Sequence, residues 1–296
     1  MKWLPCLALI MGLGPLLAQQ VKIVEIREDG LVADYYVPEG ASARPGIIVL
    51  GGSSGGIAWQ KSQAESFAKS GFAALAVAYF GMEGLPPDLE EIPLEYFQKA
   101  FDWLAEQDGA DEKRIGLCGV SKGGELVLLL GANMPQIRAV AALVPSSHVF
   151  QSVADGWPVS SSWKKDGKPL PFIPYLVTQN FDRHNLSVMY RESLGQERFL
   201  ADATIPVEKI QGPILLISGD ADKIWPSKEM SEMVLARLKR NAFPHKYDHI
   251  SYANAGHSIA SIGADPELRN GGTVKANLEA QKDVQRRLMA FFEENL

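Results

Sequence analysis

A single pentapeptide of the form G-x-S-x-G constrains the fold of this 296-residue chain more than any other feature. It runs from Gly119 to Gly123, with Ser121 at its centre. A short apolar run precedes it, and the apolar run 126–130, long enough to begin a buried helix, follows it. Strand, sharp turn and helix in this order form a nucleophile elbow, which lifts a serine hydroxyl above the edge of a sheet. The pattern therefore predicts Ser121 as a nucleophile and the backbone N–H of Lys122 as a donor to an oxyanion.

Apolar runs alternate with amphipathic segments along the rest of the chain. The predicted strands are 21–26, 31–37, 46–50, 72–79, 139–144, 214–218 and 246–252, and the predicted helices are 60–70, 94–107, 227–239 and 274–292. This alternation predicts a mostly parallel sheet with helices on both faces, and an initial antiparallel hairpin is compatible with it. Together with the nucleophile elbow, it indicates an α/β-hydrolase fold. The stretch from about 146 to 208 breaks the alternation and is too long for a structureless loop. We therefore predict that it is a cap inserted over the strand ends.

The first eighteen residues have the pattern of a secretory signal peptide. Lys2 supplies a short positive region, Trp3 to Leu17 an apolar one, and Ala18 a small residue before the cut. The apolar part is shorter than the roughly 20 residues that a membrane span needs. We predict cleavage near Ala18 and export of a single hydrolase domain, residues 19–296, which has no stable membrane span.

A serine nucleophile needs a base, and the base needs a carboxylate that orients it. In this fold the chain order is serine, acid, histidine. Asp220 and Asp222 both follow the predicted strand 214–218, at the edge where open sheets build their sites. We prefer Asp222, because it has cleared the sheet edge, and we expect Asp220 to cap the turn. His257, just after the last strand, is the predicted base.

Four other histidines compete with His257 for the role of base. His245 and His249 fall before or within the last strand, so we expect them to point elsewhere. His148 follows a strand end and could line the pocket, and His184 lies in the predicted cap. Position and chain order favour His257.

The glycine-rich loop 51–56 is the predicted source of the second oxyanion donor, through the backbone of Ser53 and next Ser54. The loop lacks the ending of a P-loop and the spacing of a dinucleotide fingerprint, so we predict no cofactor. No Cys/His cluster has metal-ligand spacing, so we predict no metal. A net charge of −6 argues against a nucleic-acid partner. The predicted partner is a small acyl ester or thioester, and the sequence leaves the oligomeric state open.

Much of the chain beyond the elbow resembles a known family, the α/β-hydrolase domain of the acyl-CoA thioesterases and bile-acid-CoA:amino-acid N-acyltransferases. The matching text includes Gly119-Val120-Ser121-Lys122-Gly123-Gly124-Glu125, Ile205-Pro206-Val207-Glu208, Gly219-Asp220-Ala221-Asp222 with Trp225, and Gly256-His257. The resemblance covers most of 45–296. It implies a triad of Ser121, Asp222 and His257, and hydrolysis of acyl-CoA thioesters through an acyl-enzyme.

Departures from the family leave alternatives open. The acyltransferase branch uses cysteine where this chain has Ser121, which favours water as the acceptor. An amino-acid acceptor would need an arginine, and nothing in the sequence places Arg183, Arg191 or Arg198 at the site. Coenzyme A thioesters are intracellular, whereas the predicted leader implies export. The alternatives are an exported carboxylesterase or dienelactone-hydrolase-like enzyme and, disfavoured by the complete set of catalytic residue types, a binding protein without catalysis.

Overall fold

A computed structural model describes residues 20–40, 42–155, 158–261 and 268–296. The predicted signal peptide, residues 1–18, lies outside the described residues. The strands are β1 (Val21–Glu28), β2 (Leu31–Pro38), β3 (Arg44–Leu50), β4 (Ala73–Ala78), β5 (Ile92–Pro93), β6 (Ala110–Val120), β7 (Val140–Leu143), β8 (Trp163–Lys165), β9 (Lys168–Pro169), β10 (Ile214–Gly219) and β11 (Tyr247–Tyr252). The α-helices are α1 (Ala58–Lys69), α2 (Leu94–Ala105), α3 (Lys122–Asn133), α4 (Ser187–Leu194), α5 (Glu197–Ala203), α6 (Ser227–Arg240) and α7 (Val274–Asn295).

Eight strands form one sheet in the order β1-β2-β4-β3-β6-β7-β10-β11. The six strands β4, β3, β6, β7, β10 and β11 are all parallel to one another. Strand β2 pairs antiparallel with both β1 and β4. A mostly parallel sheet that begins with an antiparallel hairpin confirms the predicted α/β-hydrolase fold.

Side chains of the sheet alternate between two apolar cores, one on each face. In β3, Ile48 and Leu50 pack in the core that includes residues of α2, α3 and α6. Ile47 and Val49 pack in the other core, which includes residues of α1 and α7. Because helices cover both faces, the central strands are continuous apolar runs rather than alternating ones.

The described residues of the stretch 146–208, predicted to be a cap, contribute no strand to the large sheet and form elements of their own. The stretch contains α4 and α5, and its strands β8 and β9 join β5 in a three-stranded sheet. Its aromatic side chains also form a small core with the segment after β10. The Tyr190 ring centroid lies 5.0 Å from that of Phe150 and 5.5 Å from that of Trp225. The stretch therefore packs directly on the loop that follows β10.

The turn between β6 and α3 brings backbone segments into close contact. Ser121 has φ 58° and ψ −120°, a conformation that is strained for a residue with a side chain. A Cβ atom on Gly119 would lie 2.1 Å from the Gly123 carbonyl oxygen, and one on Gly123 would lie 2.3 Å from that of Gly51. Only glycine fits at both positions, because the atoms that a side chain would meet are backbone atoms.

We predict that Gly123→Ala destabilises the fold by about 2–4 kcal/mol. The new Cβ atom would meet the backbone at the end of β3, and neither that segment nor the start of α3 can move without shifting a central strand. Gly195→Ala is the matched control. Gly195 has φ −73°, and its new Cβ would meet only the Glu192 carbonyl oxygen at 3.1 Å, a close contact that a shift of a few tenths of an ångström relieves at this exposed helix end. We expect that control to change the free energy of unfolding by less than about 1 kcal/mol in urea denaturation. Equal stability of the two variants would contradict the steric argument.

Candidate active site

Four loops leave the same edge of the sheet, at the carboxyl ends of β3, β6, β10 and β11. The loop after β3 is the glycine-rich loop, and the loop after β6 carries Ser121. Asp222 lies on the loop after β10, and His257 lies after β11. Carboxyl ends of parallel strands meet at one edge, where open α/β sheets bind ligands. The sheet therefore brings the predicted site residues to one place.

Asp222 and His257 form a buried hydrogen-bonded pair. The His257 Nδ1 atom lies 2.8 Å from Asp222 Oδ2, and the Asp222 side chain is 2% exposed. The other carboxylate oxygen accepts the backbone N–H groups of Ile224 at 2.9 Å and Trp225 at 3.3 Å. The Ser227 hydroxyl donates to Oδ2 at 2.7 Å. These donors fix the carboxylate, which in turn fixes one nitrogen of the His257 ring and leaves Nε2 for another partner.

A cavity of about 660 Å³ opens at Ser121, and His257 lines the same cavity. Within the described ranges, the Ser121 hydroxyl makes no hydrogen bond to a protein group. A serine–histidine hydrogen bond is often long in the absence of substrate and tightens in the complex. The arrangement can thus supply a hydroxyl, an imidazole nitrogen and an orienting carboxylate to one bound molecule.

The predicted oxyanion donors lie around Ser121. Ser53 and Ser54 line the cavity together with Gly52. A Cβ atom on Gly52 would lie 3.1 Å from the Ser121 Cβ, so the backbone of the glycine-rich loop passes directly beside that serine. Lys122 is the first residue of α3, and a backbone N–H at that position has no partner within its own helix. Both segments can therefore offer N–H groups to an oxygen atom near Ser121.

Asp220 is placed differently from Asp222, although both follow β10. Its Oδ1 atom accepts the backbone N–H of Asn254 at 2.6 Å. Asp220 therefore ties the loop after β10 to the loop after β11, rather than capping only its own turn as the sequence suggested. This structural bond leaves Asp222 as the carboxylate that contacts His257.

Three of the competing histidines lie away from the cavity at Ser121. His249, in β11, is hydrogen-bonded through Nε2 to the Ser218 hydroxyl at 2.8 Å, and the His245 ring packs on Phe243. The expectation that His148 could line the pocket is wrong, because His148 lines a separate cavity of about 230 Å³. The Ser147 hydroxyl lies 2.8 Å from the His148 Nδ1 atom, and it also contacts the Met233 sulfur of α6.

The cap stretch and the loop after β10 add positive charge to the cavity, which the sequence did not reveal. Arg183 lines it from the cap stretch and Lys223 from the loop, and Arg269 lines it beside them. His184 also lines the cavity, and its Nε2 atom accepts the Nε–H of Arg183 at 3.2 Å. None of the described residues that line the cavity is acidic. The other cap arginines are engaged elsewhere, Arg191 with Glu229 and Arg198 over the Phe199 ring. Distant segments supply these cations, so no local pattern marks them.

Two further residues at the site have no catalytic motif of their own. Ser227 was missed because a serine at a helix start usually serves the helix itself. Trp225 packs edge-on against the His257 ring, with centroids 6.2 Å apart, and its Nε1 donates to the Val144 carbonyl at 2.9 Å. The tryptophan thus fixes the position of the loop that carries Asp222.

The part of the chain that the structure describes contains neither a metal-ligand cluster nor a membrane-spanning helix. No group of three or more His, Cys, Asp and Glu side chains there could hold a metal ion. No helix there is long and apolar enough to cross a bilayer.

Comparison with known proteins identifies the family. Residues 92–296 match the family described as BAAT / Acyl-CoA thioester hydrolase C terminal. The chain belongs to this family. It is 30% identical over 295 residues to acyl-coenzyme A thioesterase 6 of Mus musculus, covering 95% of this chain and 67% of the relative. It is 28% identical to the bile acid-CoA:amino acid N-acyltransferase of Homo sapiens, covering 94% and 66%. The chain spans about two thirds of the length of these relatives.

Solved structures resemble the fold over nearly the whole chain. A dienelactone hydrolase from Anabaena variabilis has a TM-score of 0.55 at 15% identity, covering 95% of this chain and 100% of that one. An esterase from Pyrobaculum calidifontis has a TM-score of 0.56 at 16% identity, covering 93% and 85%. At these identities the likeness concerns the fold, and it agrees with the membership of the family.

We predict that His148 makes the folded state less stable in acid. Burial, with a smaller contribution from the Arg237 charge, lowers the pKa of His148 to about 4. An unfolded histidine has a pKa near 6.5. Below about pH 6.5 the unfolded state therefore binds a proton at this histidine, whereas the folded state binds it only near pH 4. Stability should therefore fall by up to about 3 kcal/mol across this window.

The difference between variants isolates this effect from carboxylates that titrate nearby. His148→Gln should lose less stability than the unmodified protein between pH 7 and pH 4 in urea titrations, whereas His184→Gln, at an exposed position, should follow the unmodified protein. Identical pH profiles for all three proteins would show that His148 has no part in acid unfolding.

Proposed function

We propose that this chain is a serine hydrolase that cleaves acyl thioesters through an acyl-enzyme intermediate. Ser121 is the nucleophile, His257 the general base and Asp222 the carboxylate that orients it. The observation that carries the proposal is the 2.8 Å bond between Asp222 and His257 at the edge of the cavity that also contains Ser121. The chain order serine, acid, histidine is that of α/β-hydrolases.

Each step of the proposed reaction uses a group at the cavity. His257 Nε2 takes the proton of the Ser121 hydroxyl as its oxygen attacks the acyl carbonyl carbon. The negative oxygen that forms accepts the backbone N–H of Lys122 and one from Ser53 or Ser54. The thiolate leaves with a proton from His257, and a water molecule activated by the same ring then releases the acid and free Ser121.

Positive charge at the cavity supports an anionic leaving group. Arg183 and Lys223 line it, and coenzyme A, the thiol carrier in the names of the relatives, carries phosphates. Paired charges on a ligand and its site increase the rate of encounter as well as affinity. Ser121 in place of cysteine favours water over an amine as the acceptor. We therefore propose hydrolysis to the free acid, with the stretch 146–208 acting as the cap that shapes the acyl pocket.

A second candidate is an exported carboxylesterase or dienelactone-hydrolase-like enzyme with the same catalytic residues. The observation that favours it is the leader pattern of residues 1–18, which indicates export to a compartment without coenzyme A thioesters. In that case Arg183 and Lys223 would bind an acidic group of an oxygen ester.

A panel of substrates with one common acyl chain separates these candidates. We expect kcat/KM to be at least about tenfold higher for the acyl-CoA than for the uncharged acyl-pantetheine thioester, because only the former carries phosphates for Arg183 and Lys223. The p-nitrophenyl ester is the third substrate. Its rapid turnover beside two inert thioesters would favour the esterase.

Ser121→Ala tests the nucleophile within the same assay. We expect turnover to fall by about 10⁴-fold or more and labelling by a fluorophosphonate to disappear, because the reactive oxygen is gone. Ser70→Ala, at an exposed position at the end of α1, should retain both. Labelling that survives in Ser121→Ala would exclude this serine as the nucleophile.

The two neighbouring aspartates allow a matched test of the acid. Asp222→Asn should lower kcat by about 10⁴-fold, because an amide stabilises the wrong histidine tautomer. Asp220→Asn makes the same chemical change to a residue that bonds Asn254, so we expect a loss of less than about tenfold. The reverse ranking of the two kcat values would assign the catalytic role to Asp220.

A further inference from the structure

Two oppositely charged side chains are buried directly beneath the elbow. Lys122 and Glu125 lie on the first turn of α3, with side chains 2% and 0% exposed. The Lys122 Nζ atom lies 2.7 Å from Glu125 Oε1. Replacing a buried ion pair by apolar groups is often neutral or stabilising, so stability alone does not account for such a pair. Its position next to Ser121 points to the site instead.

The pair binds the cap stretch as well as α3. Trp163, a fully buried residue of β8, donates its Nε1–H to Glu125 Oε1 at 2.7 Å. The Lys122 ammonium lies 3.4 Å from the Phe150 carbonyl oxygen and 5.7 Å from the centroid of the Trp163 ring. Both ends of Lys122 are therefore fixed, the backbone by the elbow and the Nζ atom by three groups.

The same cluster reaches the glycine-rich loop. The Tyr79 ring packs on Trp163, with centroids 5.8 Å apart, and the Tyr79 hydroxyl donates to the Gly51 carbonyl. Gly51 immediately precedes the residues that line the cavity beside Ser121. The cluster thus includes Lys122, the residue after the nucleophile, and through Tyr79 it contacts Gly51 at the start of the glycine-rich loop.

Desolvation makes each charge dependent on the other. Burial lowers the pKa of Lys122 and raises the pKa of Glu125, and their mutual charge and hydrogen bond oppose both shifts. Removal of one partner would leave the other unpaired in an apolar site and destabilise the fold strongly. Removal of both together avoids that penalty, so a paired substitution can separate activity from stability.

We propose that Lys122, Glu125 and Trp163, named here the elbow anchor, position the two backbone segments that donate to the oxyanion. The inference rests on the proposed function. Oxyanion donors act at full strength only when they are held within about 0.5 Å of their productive geometry. The elbow anchor meets this need without touching the substrate, so its members are positioning residues.

The main test is the double variant Lys122→Met with Glu125→Gln, which keeps side-chain size and the backbone N–H of residue 122. We expect kcat to fall about 10- to 100-fold with KM changed less than about threefold, because alignment in the transition state is lost and ground-state binding is not. The free energy of unfolding should stay equal or rise. If the elbow anchor had only a structural role, the double variant would change the free energy of unfolding and leave kcat unchanged.

Trp163→Phe provides a second, milder variant. It keeps an aromatic ring beside Tyr79 and removes the N–H donor to Glu125 together with part of the ring volume. We expect kcat to fall about 3- to 10-fold, again with little change in KM. If the double variant does not fold, Trp163→Phe tests the proposal alone. A lower kcat with an unchanged KM supports it, and an unchanged kcat contradicts it.

The control is a second ion pair, Arg237 with Glu208, joined by two hydrogen bonds of 2.5 and 2.6 Å at α6. Arg237→Met with Glu208→Gln makes the same chemical change away from the elbow, and kcat should stay within about twofold. A loss of kcat equal to that of the anchor variant would indicate a general loss of packing and would overturn the proposal.

A trifluoromethyl ketone analogue of the thioester gives a direct readout of the oxyanion site, because its adduct with serine carries the oxyanion. Its inhibition constant should weaken by the same factor by which kcat/KM falls in the anchor variants. An unchanged kcat, or a change in KM alone, in folded anchor variants overturns the inference. Failure of the unmodified protein to react with a fluorophosphonate at Ser121 contradicts the proposed function instead, so the two failures are distinguishable.

Discussion

Backbone-to-backbone contact at the elbow is the constraint on which the rest of the candidate site depends. Gly119 and Gly123 let β6, α3 and the Gly51 carbonyl of the loop after β3 approach one another more closely than a Cβ atom at either position would allow. No side-chain rotamer takes part in this contact, and the pairing of β3 with β6 brings the glycine-rich loop to the side of Ser121. The strained conformation of Ser121 persists because a strand buried on both faces and a helix with an apolar face hold it from either side.

The acid and the histidine are placed by contacts between their own two loops. A Cβ atom on Gly219 would lie 2.3 Å from the Ala255 carbonyl oxygen, which also accepts the backbone N–H of Ala221 at 2.9 Å. The position of the Asp222 carboxylate depends in addition on donors from Ile224, Trp225 and Ser227. These donors lie at the start of α6, so the packing of that helix on β10 transmits the sheet geometry to the carboxylate. Close backbone contacts therefore occur in both halves of the site, and the second half depends in addition on hydrogen bonds to the Asp222 carboxylate.

This difference explains how much could be predicted from the sequence. The elbow follows from the spacing of two glycines around Ser121, and the strands follow from apolar runs, since both signals are local. The choice of Asp222 over Asp220 also followed from local position, namely the distance from the end of β10. Arg183 could not be found in this way, because its place at the cavity depends on contacts between segments far apart in sequence. Ser227 was missed although it lies only five residues from Asp222, because a serine at a helix start usually serves the helix itself. His148 was misplaced for the same reason as Arg183, since a neighbouring serine and α6 hold its ring in another cavity.

The cap stretch contacts both halves of the candidate site, and this has a consequence for specificity. At the elbow its residue Trp163 bonds Glu125, and at the loop after β10 its residue Ser187 donates its N–H to the Lys223 carbonyl. Cavity residues between these two points, Arg183 among them, are held relative to Ser121 although they lie on loops. Their positive charge opposes the sign of the whole chain, whose net charge is −6, so it reflects a local requirement of the cavity. Under the proposed function, substitutions in the cap stretch between the two contact points would change which acyl compound binds, while the contacts themselves would keep the reacting groups aligned.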